Sequence, residues 1–273
     1  MERASLLRDE VAIVTGAGRG VGRAIAEALA DAGAAVVLAA RSHDEVGSAA
    51  AAIEEAGGRA LAHPADVTDE RAVAELAEQA GARFGPPTLL VNAAGAWTQV
   101  GPVEDADPEA WWSDVEVSLL GTFLCTRAVL PSMTSLGRGR IVNVASHAAV
   151  GPRPYAAGYA SAKAAVLRFT DSLAAELEGR GVHAFAISPG FVRTRLIEEL
   201  AASEAARRYL PQLATRRDDL EPARAGRLVV EIATGRLDPL AGRYLHVLDD
   251  VDDLLRRSAE IAERDLYTLR LRT

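Results

Sequence analysis

The sequence predicts an α/β chain, a doubly wound parallel sheet with helices on both faces, and three observations lead there. Six short runs, apolar throughout and rich in β-branched residues, alternate with Ala, Glu, Leu and Arg-rich stretches of helical periodicity. Strands that are apolar on both faces belong to parallel sheets covered on both sides. The first run passes into a glycine-rich turn that opens an Ala-rich helix. The chemistry-bearing residues fall at the ends of the runs, and in open α/β sheets ligands bind outside the carboxyl ends of the strands.

In chain order the runs are VAIVTG at 11–16, AAVVLAA at 34–40, RALAHPAD at 59–66, TLLVNAAG at 88–95, RIVNVAS at 140–146 and VHAFAISPG at 182–190. Thr15 and Gly16 end the first, Asp66 the third, Asn92 to Gly95 the fourth, Ser146 the fifth, and Pro189 and Gly190 the sixth. These ends converge on one side of the sheet. The turn TGAGRGVG, Thr15 to Gly22, offers glycines that permit positive φ and let the backbone approach a pyrophosphate at the positive end of a helix. A strict GxGxxG places its third glycine at position 21, which here is Val21, so the pattern is TGxxxGxG. Such a turn is a weak signal alone, but on the first βα unit it points to a dinucleotide. Further on, GYASAKAAVLRF puts Tyr159 and Lys163 four residues apart, on one face of a helix.

The chain has 273 residues, 49% apolar and 25% charged, with no linker, composition break or internal repeat, so a single globular domain is expected. A formal charge of -8 argues against a nucleic-acid surface, which needs clustered Lys and Arg. Cys125 is the sole cysteine and sits in an apolar run, as a buried thiol in a reducing compartment would. The segment MERASLLRDE lacks an apolar leader core, and charges interrupt the Ala-rich segments before membrane-spanning length. The expectation is a cytoplasmic protein without a membrane partner.

TGAGRGVG, Asp66 with Val67, NAAG at Asn92 to Gly95, Ser146 thirteen residues before Tyr159, YASAK, and PGFVRT at Pro189 to Thr194 together resemble the short-chain dehydrogenase/reductase family, in its compact single-domain branch. The resemblance runs to about Leu248. It implies a Rossmann-type dinucleotide-binding and catalytic domain over residues 1–248, with 249–273 as a helical extension of the same domain. It further implies Tyr159 as general acid/base, Lys163 as its tuner and ribose ligand, and Ser146 as the group that orients the substrate oxygen. A free tyrosine has a pKa of about 10, and an ammonium about 4 Å away at an effective dielectric near 20 is worth about 4 kcal/mol, so a lowered phenol is expected. Cofactor contacts are expected from Thr15, Gly16, Gly18, Arg19, Gly20, Val21, Gly22, Asp66, Val67, Asn92, Ala93, Gly95, Pro189, Gly190, Val192 and Thr194, besides Tyr159 and Lys163. Substrate contacts are expected from Trp97, His147 and Tyr155, with Trp111 and Trp112 as further pocket aromatics, and no metal.

Where NAD-preferring relatives carry an acid at the end of the second strand, this chain has Ala40, then Arg41 and Ser42, which suit a 2′-phosphate. NADP is therefore expected, with NAD as the alternative. Two departures from the family stand out. Ser118, in VSLLG, occupies the position of a catalytic asparagine that helps hold a relay water. The chain also ends without the usual vDGG-like strand, and its aspartates at 249, 250, 252 and 253 read as a helix start. The reading is an NADP-dependent oxidoreductase interconverting a ketone or aldehyde and an alcohol, as a homodimer or homotetramer. The runners-up are an NAD-dependent alcohol dehydrogenase and a nucleotide-binding sensor or scaffold with weakened turnover, for which Ser118 is the main support. His147 beside Ser146 invites a serine hydrolase, but no GxSxG elbow is present, and neighbours on a strand face opposite ways.

Overall fold

The computed structural model describes residues 6–271, so the first five residues of MERASLLRDE and the last two of the anticipated extension lie outside the described residues. Seven parallel strands form one sheet in the order β3-β2-β1-β4-β5-β6-β7. They are β1 (Val11–Thr15), β2 (Ala35–Ala40), β3 (Arg59–Pro64), β4 (Leu89–Asn92), β5 (Gly139–Val144), β6 (Val182–Ser188) and β7 (Tyr244–His246). The chain order reverses between β1 and β4, which is where such a sheet opens a crevice for a ligand. The first six strands match the apolar runs within a few residues at each end. The seventh corrects the expectation of a missing last strand. RYLHV pairs with β6 through Ala186–Tyr244, Ile187–Leu245 and Ser188–His246.

Apolar residues on both faces of the strands demand two helical layers. On one side lie α1 (Gly20–Asp31), α2 (His43–Glu55) and α10 (Ala223–Ala233), and on the other α3 (Glu70–Phe84), α5 (Gly121–Leu136) and α6 (Ala157–Glu176). Ile25, Val46, Ile53, Val229 and Ile232 fill the first core, and Val73, Leu76, Leu124, Val129 and Leu173 the second. Gly226 lets α10 approach α1 closely, since a Cβ there would stand 2.6 Å from Ala28 Cβ. Polar caps start the helices as their sequences indicate. Ser42 accepts from Glu45 N at 3.3 Å and Asp69 from Arg71 N at 2.9 Å. The C-terminal aspartates do the same, with Asp250 accepting from Asp253 N at 3.0 Å to open α11 (Val251–Arg256). Leu254 of α11 and Ile261 of α12 (Ser258–Glu263) are buried in the first core.

Between β4 and α5 the chain runs through α4 (Pro108–Val115) and a π-helical turn, Glu116–Leu120. Residues Pro108–Leu136 are thereby long and apolar enough to cross a membrane by length and composition, a run distinct from the Ala-rich segments that charges interrupt. Here Leu124, Val129 and Met133 pack onto the sheet, and Cys125 is buried with its thiol pushed up to about 12 by burial. The short helices α7 (Arg195–Ala202), α8 (Glu204–Tyr209) and α9 (Gln212–Thr215) follow β6 and bury Leu200, Ala206, Leu210 and Leu213 in a small cluster of their own, against which Trp97 and Phe191 pack.

One ion pair locks the last crossover to the sheet. Arg140 of β5 donates to Asp238, in the turn before β7, from Nε at 2.8 Å and Nη2 at 2.7 Å, with both side chains largely buried. Asp238→Ala leaves the guanidinium without its bidentate partner. Urea denaturation is expected to show a loss of about 1.5–3 kcal/mol, the range for hydrogen bonds to charged groups.

Candidate active site

At the end of β1 the chain turns through Gly16 and Gly20, at φ 63° and 58°. A Cβ on Gly22 would meet Gly16 O at 2.3 Å, so the turn closes on itself with no room for a side chain. The amides at the start of α1 therefore face the crevice across bare backbone, an arrangement that fits a pyrophosphate. Thr194 lies over the turn, its Cγ2 3.0 Å from a Cβ on Gly20. Thr15 Oγ1 accepts from Ala93 N at 3.1 Å and Ala94 N at 3.2 Å, which fastens the end of β4 beside the glycine turn. Behind them Asn92 donates to Asn143 Oδ1 at 2.9 Å, and Asn143 donates to Thr170 Oγ1 on α6 at 2.8 Å.

At the expected adenosine end, Ala40 ends β2 and Arg41 is exposed. The Ser42 hydroxyl is already engaged as the α2 cap. Arg19 stands 3.6 Å from the Glu45 carboxylate, a partner not anticipated from the sequence. Asp66 Oδ1 accepts from Thr68 N at 2.9 Å and Thr68 Oγ1 at 2.8 Å. Val67 is core, its Cγ2 2.6 Å from a Cβ on Gly121.

Tyr159 and Lys163 lie on α6, whose start faces the end of β5. Lys163 is 5% exposed and donates to Val144 O at 2.8 Å, with Nζ 6.0 Å from the centre of the Tyr159 ring. Gly95 makes room for it, since a Cβ there would stand 3.2 Å from Lys163 Nζ and 3.8 Å from Ser118 Oγ. Ser118 and Lys163 thus both border Gly95. Its hydroxyl is buried without a hydrogen-bond partner, and its carbonyl accepts from Thr122 Oγ1 at 2.7 Å within the π-helical turn. Ser146 lies beyond β5, where its Oγ accepts from Ala148 N at 3.1 Å and starts a short 3-10 turn, His147–Ala149. Ser146 and His147 therefore stand in a turn beyond β5, where the expected strand alternation does not apply. His147 Nδ1 is 3.2 Å from Arg153 Nη2.

The electrostatics correct one expectation. Burial holds the Tyr159 phenol above its ordinary value, the Ser146 hydroxyl opposes this and the Asp114 charge adds to it. Burial also lowers Lys163 to about 8. The low-dielectric pocket acts on both groups and disfavours the charged form of each. The phenol is accordingly raised, where an ammonium alone was expected to lower it.

Trp97 lies flat on Tyr159, ring centres 4.5 Å apart and planes within 7°. Tyr155, at φ 65°, packs against Tyr209 of α8 with centres 4.9 Å apart. Trp111 instead packs behind Gly158, and Trp112 is exposed and donates to Glu116 at 2.7 Å, so neither joins Trp97. Sequence reasoning missed Asp114. This wholly buried carboxylate accepts from Thr98 N at 2.6 Å, Thr98 Oγ1 at 2.9 Å and Gln99 N at 3.5 Å, and it holds the loop that carries Trp97. Burial raises its pKa against those hydrogen bonds. Its only sign in the sequence is the four-residue spacing to Ser118. Among the described residues no three His, Cys, Asp or Glu side chains gather where they could hold a metal.

The profile of the short chain dehydrogenase family matches residues 10–205. A short chain dehydrogenase of Pseudocercospora fijiensis is 36% identical over 92% of this chain and 84% of its own length. The cis-4-hydroxycyclohexanecarboxylate dehydrogenase of Sinomonas cyclohexanicum is 38% identical over 76% of this chain and 84% of its own. Among solved structures, a candidate NAD(P)-dependent gluconate 5-dehydrogenase from Beutenbergia cavernae, with NADP bound at low occupancy, superposes with a TM-score of 0.79 at 33% identity. That match covers 90% of this chain and 97% of the other. A metagenomic short-chain oxidoreductase in complex with NADP gives 0.71 at 32%, over 84% and 93%. The chain belongs to the short-chain dehydrogenase/reductase family. It is an NAD(P)-dependent oxidoreductase.

Asp114→Ala removes the carboxylate that accepts from the Thr98 and Gln99 amides and leaves the Thr98 hydroxyl only the Ala110 carbonyl, at 2.7 Å. A stability loss of about 1–3 kcal/mol is expected from the stranded donors. Near-UV circular dichroism, which reads the Trp97–Tyr159 stack, is expected to lose intensity in the same variant.

Proposed function

We propose that this chain is an NADP-dependent oxidoreductase that interconverts a ketone or aldehyde and the corresponding alcohol. The observation that carries the reading is the placing of Ser146, Tyr159 and Lys163 around the end of β5, with the glycine turn two strands away on the same edge. NADP bound to two similar structures supports the choice of cofactor. So does Arg41, which stands exposed where an acid would exclude a 2′-phosphate. The cofactor, when bound, supplies or takes up a hydride.

The chain's own residues do the rest. The amides of the glycine turn, with Thr194 over them, hold the pyrophosphate. Tyr159 gives its proton to the substrate oxygen and the Ser146 hydroxyl orients that oxygen. Lys163 holds the ribose and stabilises the phenolate left behind. Trp97, Tyr155 and Tyr209 wall the substrate with aromatic faces. The relative that acts on cis-4-hydroxycyclohexanecarboxylate makes the matching ketone, 4-oxocyclohexanecarboxylate, the first compound for a panel. Exposed Leu120 and Phe123, on the π-helical turn and α5, support a homo-oligomer.

Tyr159→Phe is expected to keep NADPH binding within about threefold by calorimetry and to lose at least 100-fold in turnover, the low end of the range for general acid–base catalysis. Wild-type turnover in that variant contradicts the assignment. Because the phenol is raised, it keeps its proton through neutral pH, and carbonyl reduction is expected to hold level there. It is expected to fall at higher pH, first as Lys163, lowered to about 8, loses its charge and then as the phenol loses its proton. Alcohol oxidation, which needs the phenolate, rises over the same limb. Initial rates in both directions across pH 6–11, on either side of the ordinary tyrosine value of about 10, check this.

A further inference from the structure

At the expected adenosine end of the cleft, two arginines converge on a single internal carboxylate. Glu45, in the first turn of α2, places Oε1 3.6 Å from Arg19 Nη1 of the glycine turn and 3.6 Å from Arg195 Nη1 at the start of α7. The side chain lies on the turn itself. A Cβ on Gly18 would meet Glu45 Cβ at 2.7 Å and Oε2 at 3.2 Å. The Ser42 hydroxyl, capping the Glu45 amide, pins the start of the helix that carries it. Thr194, next to Arg195, borders Gly20, so the same small region holds the turn, α2 and the start of α7.

All three side chains remain reachable from solvent, at 30% for Glu45, 44% for Arg19 and 64% for Arg195. A phosphate monoester carries about -1.5 to -2 charges at neutral pH against one for a carboxylate, and guanidinium groups bind both in the same forked geometry. An incoming phosphate therefore competes with Glu45 for the same cations. Arg195 keeps a second partner, Glu199, at 2.6 Å, which holds it near the cleft when Glu45 lets go. We propose that Glu45 is a selectivity-determining residue: an internal anion that occupies Arg19 and Arg195 in place of the cofactor's 2′-phosphate and so weakens NADPH binding without weakening NADH. The proposal rests on the dinucleotide-binding reading above. It places the tuning of cofactor choice on the helix after β2, beyond the strand end where Ala40, Arg41 and Ser42 stand.

The test is calorimetric titration of wild type and Glu45→Gln with NADPH, NADH, adenosine 2′,5′-bisphosphate and 5′-AMP, at low and high salt. Glu45→Gln is expected to tighten NADPH and the bisphosphate about tenfold at low salt and to leave NADH and AMP within twofold. The gain should shrink at high salt. Unchanged NADPH affinity, equal gains for both dinucleotides, or weaker NADH binding overturns the proposal, the last because it makes Glu45 a ribose ligand. If wild type binds neither dinucleotide, the cofactor reading falls and this inference with it. If wild type binds NADPH and the variant does not differ, this inference alone falls.

Discussion

A buried file of polar side chains crosses the sheet below the strand ends, and the site depends on it. Thr15, Asn92, Asn143 and Thr170 are each under 4% exposed. They link β1 to the end of β4, β4 to β5, and β5 to α6 by hydrogen bonds of 2.8 to 3.2 Å. A parallel sheet sets strand register only through slanted backbone bonds. This file adds side-chain ties that fix where the glycine turn, the Asn92–Gly95 segment and the Tyr159 helix stand relative to one another. Buried polar groups are costly unless paired. Losing one member strands its neighbour, so the alignment is enforced by the penalty for breaking it. Asn92 also reaches Thr126 at 3.4 Å and so ties in α5. Its Oδ1 has no partner, which leaves the file one acceptor short of full satisfaction.

The same burial sets the chemistry. Tyr159 and Lys163 share a low-dielectric pocket in which each is pushed toward its neutral form. A phenol that keeps its proton suits donation to a carbonyl oxygen, and a lysine near 8 keeps a proton available close to neutrality. Asp114 adds negative charge behind the phenol while anchoring the Trp97 loop, so one carboxylate affects both the acid and the wall beside it. The π-helical turn at Ser118 sets a buried, unpartnered hydroxyl beside Gly95, which Lys163 also borders, and its extra backbone residue marks an interruption in an otherwise continuous helical run.

The first six strands, the helical layers and the glycine turn were legible because their signals are local: apolar runs, helical periodicity, and glycines where φ must be positive. The spacing of Tyr159 and Lys163, and the place of Ser146, were legible for the same reason. Strand β7 was not, because three residues paired on one edge carry almost no pattern of their own, and Tyr244 and His246 look polar until β6 is beside them. The aspartates at 249–253 were read correctly as a helix start, since a cap is a contact within four residues.

By itself the sequence determined the first six strands with the helices between them, their order and the residue types at the strand ends, because propensity, periodicity and capping act over a few residues. Only the tertiary structure decided what those residues meet. It put a carboxylate from α2 on Arg19, buried Asp114 behind Tyr159, laid Trp97 on the phenol and engaged the Ser42 oxygen as the acceptor of a cap. It also reversed the expected direction of the Tyr159 shift. Burial is a property of the whole packed chain, and the cost of charging a group depends on everything that excludes water from it.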